Sequence, residues 1–128
     1  MIQSDTIRQA IRNKLTEGKA LKTVGGAEFV IESITPLELV FRVGEKKSRV
    51  AIQMNTVDDL VKEFKFLPPN GWMKIGATTG QPKAGTLAAV VREHTTGASS
   101  ASQFAAVLAF VGVAEINPRR PARIRLLV

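Results

Sequence analysis

The chain has 128 residues, 45% apolar and 23% charged, with a net charge of +7, one His and no Cys or Tyr. That is the composition of one folded domain, or of two small lobes on a shared core, and not of a disordered tail. Without cysteine there is no disulfide scaffold, thiolate nucleophile or Cys-bound metal; one His excludes a His-rich metal site, and no apolar run approaches the ~20 residues that span a bilayer.

The first pattern in the chain is the stripe Ile7, Ile11, Leu15, which predicts an amphipathic helix ending near Gly18. Thr6 with Gln9 offers a capping box, with Ser4 or Asp5 as other caps, and Arg8 and Arg12 fall one turn apart on the wet side. A strand is expected over Glu28–Ile34, set off from residues 21–24 by Gly25-Gly26. Leu37, Leu39, Phe41 and Val43 then alternate with Glu38, Val40 and Arg42. After the turn Gly44-Glu45-Lys46-Lys47, Val50, Ile52 and Met54 alternate with Arg49, Ala51 and Gln53. Two period-2 runs around a polar turn containing Gly predict a hairpin.

From Asn55 the period changes to 3.6. Val57, Leu60, Val61 and Phe64 mark a helix, with Asp58 and Asp59 in its first turn, where the helix dipole favours acids. Pro68-Pro69-Asn70-Gly71 is a stop, and residues 72–75 are a short strand candidate whose Trp72 is expected to anchor the packing of the two halves. A loop over 76–85 leads to a second helix with the stripe Leu87, Val90, Val91, His94. After a turn over 95–99 comes a third helix, with Ser100 and Gln103 as a capping box and Phe104, Val107, Leu108 and Val111 as its stripe, which Gly112 ends. Residues 113–116 and 122–127 close the chain as a second hairpin. The fold class predicted is α+β. An N-terminal helix and small antiparallel sheet occupy residues 1–54, and an α-β-α-α-β-β unit occupies residues 55–128.

That second order of elements resembles a winged-helix domain, a helix-turn-helix variant. The resemblance rests on element order, lengths and turn placement over residues 55–128, and it points to no particular family. It implies that the third helix lies in the DNA major groove and that the closing hairpin is a wing on the backbone or in the minor groove.

Charge distribution bears on the same expectation. Residues 1–25 carry five basic and two acidic side chains, and residues 76–128 carry six and two; the segments between are balanced. If the two ends of the chain meet, they form one basic face. Arg123 and Arg125 share a face of the last strand, opposite Ile124 and Leu126, while Arg119 and Arg120 sit in the hairpin tip between two prolines expected to hold it extended. Four guanidinium groups with no carboxylate after Glu115 suit phosphates; equally, charge on a terminal edge strand prevents edge pairing. Ser100, Ser102 and Gln103 are the groove-facing candidates of the third helix, beside Ser99 and Ala106. That helix has no basic residue, so backbone contacts and modest sequence selectivity are expected. Lys83 is expected to assist at the helix starting near Thr86, and Arg8 and Arg12 to extend the footprint.

Other motifs fall short. Gly80-Gln81-Pro82-Lys83-Ala84-Gly85-Thr86 lacks the Gly-Lys-Ser/Thr of a nucleotide-binding P-loop. Glu-x-Lys occurs at Glu17/Lys19, Glu45/Lys47 and Glu63/Lys65 without the strand and partner Asp of a nuclease site. His94, with no second His, reads as a dipole partner or half-buried core residue. The opening MIQSDTIRQA lacks the layout of a secretory signal. The sequence therefore predicts a cytoplasmic, non-enzymatic, duplex-DNA-binding protein without cofactor, metal or membrane attachment. A small regulator or an accessory protein of a mobile element or DNA-processing system fits that description. The other expectation is a protein-binding or self-associating module, such as a homodimer, that uses Phe110 and the apolar helix 100–111.

Overall fold

A computed structural model describes residues 3–68, 71–76, 83–96 and 100–127. Helix α1 (Ser4–Lys14) is followed by strands β1 (Ala20–Lys22), β2 (Glu28–Ile34), β3 (Glu38–Val43) and β4 (Ser48–Gln53). Then come α2 (Thr56–Lys65), β5 (Met73–Lys74), α3 (Leu87–Arg92), β6 (Thr95–Thr96), α4 (Ala101–Phe110), β7 (Ala114–Asn117) and β8 (Arg123–Leu126). The class is α+β. Every strand pairing among the described residues is antiparallel, in a five-stranded sheet β1-β2-β3-β4-β6 and a three-stranded sheet β5-β8-β7.

The hairpin β3–β4 shows why its residues alternate. Leu39 and Phe41 face the core opposite Ile52 and Val50, and Phe41 packs on Phe29 of β2 with ring centroids 5.4 Å apart. On the outer face the register sets Arg42 directly opposite Arg49, a repulsive pair. Glu32 resolves it, accepting from Arg42 at 2.7 Å and lying 3.5 Å from Arg49, which also pairs with Glu38 at 3.6 Å. Leu37, expected in this core stripe, precedes the strand and is exposed.

The two regions share one core. Ile7 and Ile11 of α1 and Phe29, Phe41 and Ile52 of the large sheet pack in the same cluster as Leu60, Leu87, Phe104, Leu108 and Ile124 from the second half. The segment between α3 and α4, expected to be a plain turn, is bound to β4 as β6: Ile52 pairs with Thr95, Gln53 N–H donates to the His94 carbonyl at 3.0 Å, and Thr95 Oγ1 donates to the Ala51 carbonyl at 3.1 Å. Gly76 follows β5 at φ +100°, where a Cβ would lie 2.9 Å from that of Ala88, so the chain passes α3 at a distance only glycine permits. Gly112 ends α4 at φ +82°, as expected.

The predicted caps of α1 and α4 do not form: neither Gln3 nor Ser100, the N-cap residues, makes a side-chain capping bond. Thr86 does cap α3, accepting from Ala89 N–H at 3.2 Å. No helix among the described residues is long and apolar enough to cross a membrane.

Candidate nucleic-acid interface

The outer face of the small sheet is built by period-2 alternation. Met73, Ile124 and Leu126 point into the core, so the residues between them point out. Two cross-strand rows result. In one, Lys74 of β5, Arg123 of β8 and Asn117 of β7 are direct neighbours. In the other, Arg125 lies 4.6 Å from the ring centre of Trp72 and donates to Glu115, its partner on β7, at 2.5 Å.

These rows differ in charge. Arg125 is neutralised by Glu115 and held against Trp72, so the guanidinium expected to face phosphate is committed within the sheet. Trp72, expected to join the two halves, is half-buried under Arg125 on the outside. In the other row Lys74 and Arg123 are exposed, adjacent and of like sign, and neither pairs with an acid among the described residues. Such juxtaposition disfavours the sheet by a few tenths of a kcal/mol, up to about 1. It leaves a cationic surface ready for an anion.

The hairpin tip extends that surface. Arg119 and Arg120 are both exposed, and the side-chain carbonyl of Asn117 accepts from the Arg119 backbone N–H at 3.1 Å, fixing the start of the tip. The prolines do not hold it extended; the chain bends over residues 119–121. Ile75 N–H donates to the Ala122 carbonyl, and the Ile75 carbonyl accepts from Ala88 N–H, so the tip end of the sheet abuts the start of α3. Lys83 belongs to that end: its carbonyl accepts from Thr86 Oγ1 at 2.8 Å, and its side chain is exposed. Gly80, Gln81 and Pro82, at the start of the segment that falls short of a P-loop, lie outside the described residues, as do Pro69, Asn70 and Ser99 of the predicted turns.

No family model, curated protein or solved structure matches this chain. The surface stands on its own geometry.

The structure places the other expected contact residues as follows. Ser100 is 1% exposed with its hydroxyl 3.4 Å from that of Thr95, so it faces the core and no groove. Helix α4 as a whole is apolar on nearly every side, and six of its ten residues are buried; Ser102, Gln103 and Ala109 are half-buried, and Phe110 is the exposed one. Arg8 donates to Asp58 at 2.6 Å with Asp5 4.0 Å away, so it ties α1 to α2 and is not a free cation. Arg12 is exposed but sits beside Thr35, Pro36 and Met54, against the large sheet.

The basic ends of the chain do not merge. Lys14 reaches Gly112 and Lys19 lies 5.4 Å over the ring of Phe110, so both sit near the beginning of β7 while the arginine tip follows its end. Lys74, in contrast, joins the surface unforeseen. Its signal was present in the alternation of residues 72–75, but only the pairing of β5 with β8 sets it beside Arg123.

Proposed function

We propose that this protein binds duplex DNA through the sugar-phosphate backbone, using Arg119, Arg120, Arg123 and Lys74, with Lys83 at the same end. The observation that carries the reading is the run of cations, unpaired among the described residues, from the hairpin tip to the Lys74–Arg123 row of the three-stranded sheet. Phosphate contact needs clustered positive charge without precise side-chain fit, and that is what this face offers. Apart from β6, which stands between α3 and α4 and pairs with β4, the helix-strand-helix-helix-strand-strand order of residues 55–128 supports a winged-helix-like reading in which the closing hairpin is the wing. Burial of α4 argues against base reading by that helix, so selectivity for sequence is modest. The protein acts without catalysis, in the cytoplasm, as a small regulator or as an accessory protein of a mobile element or DNA-processing system.

Docking of a protein partner, or of a second copy, through helix 100–111 is the weaker reading, because most of that helix is already covered within the chain. Fluorescence anisotropy with a labelled random-sequence duplex at low and high salt separates the two. Saturable binding that weakens with salt, and that R119A/R120A/R123A weakens strongly while S102A/Q103A leaves it intact, supports the proposal. Absence of binding at low salt, together with self-association lost in F110A, overturns it.

A further inference from the structure

The only histidine of the chain is not part of the cationic face. It lies where α2 meets α3, and three side chains of the ligand type converge there. Asp59 stands in the first turn of α2, and Glu93 and His94 directly follow α3. His94, expected to close the apolar stripe of α3, lies in the turn just beyond the helix and faces Asp59 of α2. Its main chain is held at both groups, the N–H donating to the Val91 carbonyl at 2.9 Å and the carbonyl accepting from Gln53 N–H at 3.0 Å. The side chain is 14% exposed, with Nε2 2.5 Å from Asp59 Oδ2.

A hydrogen bond between the turn after α3 and helix α2 accounts for His94 and Asp59 but leaves Glu93 without a role. Its carboxylate pairs with no cation among the described residues, yet one ligand atom from each of the three side chains lies within 4.8 Å of the others. Asp58, the adjacent acid, is turned away to Arg8. We propose that Asp59, Glu93 and His94 bind one divalent transition-metal ion of the zinc class, clamping the end of α3 to the start of α2.

The chemistry of the set supports that class. One imidazole nitrogen with two carboxylate oxygens is a borderline donor set suited to zinc, whereas calcium and magnesium favour six or more oxygens. Bonds of ~2.0–2.2 Å at tetrahedral angles set ligand atoms roughly 3.3 Å apart. The His94–Asp59 contact, at 2.5 Å, is shorter than this, so binding an ion requires the Asp59 carboxylate to draw back from Nε2, with the Glu93 carboxylate within 4.8 Å of both. Two carboxylates neutralise the ion. The exposed Glu93 side leaves the fourth position to water. This site is independent of nucleic-acid binding and stands or falls without it.

The test is a titration of the metal-free full-length chain with Zn²⁺ by calorimetry, and with Co²⁺ by visible absorption as a report on coordination. The expected result is binding of one ion per chain, with tetrahedral cobalt bands, and affinity reduced at least about tenfold in both E93Q and H94Q. E93Q keeps the His94–Asp59 pair and is therefore expected to keep the metal-free fold, so it decides the matter if H94Q fails to fold. Absence of saturable binding, or binding that E93Q leaves unchanged, overturns the proposal.

Discussion

Arg123 and Arg125 occupy the same strand two residues apart and point the same way, and their neighbours give them opposite roles. Arg125 has Glu115 beside it and Trp72 beneath it; Arg123 has Lys74 on one side and Asn117 on the other. The first arrangement stabilises the sheet, the second loads it with charge. A half-exposed ion pair and a cation–π contact each contribute up to about 1 kcal/mol. The double variant E115Q/R125Q is expected to lower stability by about 1 kcal/mol in urea unfolding while leaving duplex affinity unchanged, because it removes one charge of each sign. The Arg123→Ala change is expected to do the reverse, weakening duplex binding with no loss of stability. The sequence shows both arginines on one face but not which of them is free, since that depends on cross-strand partners 10 and 49 positions away.

Helix α4 illustrates the same limit one level up. Its existence, its end at Gly112 and its stripe were legible in periodicity alone. Whether Ala105, Ala106 and Ala109 faced solvent was not, because alanine suits a covered helix and a bare one equally. The contacts decide: α4 packs against β7 and α3 of its own half and against β1 and α1 of the other. Leu108→Ala is therefore expected to cost about 2–5 kcal/mol, read as a shift of the unfolding midpoint. Gly76→Ala is expected to cost about 1–3 kcal/mol from its positive φ and the close approach to Ala88. β6 escaped the sequence reading for a related reason: two threonines carry no period, and only β4 makes them a strand.

Taken as one body, the protein distributes its seven surplus charges unevenly. Arg42 and Arg49 of the large sheet pair with Glu32 and Glu38, Arg8 with Asp58 and Arg125 with Glu115, while the hairpin tip and the Lys74–Arg123 row keep their charge unpaired among the described residues. A continuous core joins the two regions, so urea unfolding is expected to show one transition by fluorescence of Trp72 and by circular dichroism alike. A fragment of residues 55–128, deprived of β4 and α1, is expected to lack cooperative unfolding.

The salt dependence of duplex binding tests the central claim most directly. For contacts to duplex phosphate, log K falls against log[salt] with a slope of about −0.9 per phosphate neutralised. The R119A/R120A/R123A variant is expected to show a slope shallower than that of the unaltered protein by about 2.7, one increment for each cation removed. A slope that the three substitutions leave unchanged, with affinity intact, contradicts the account.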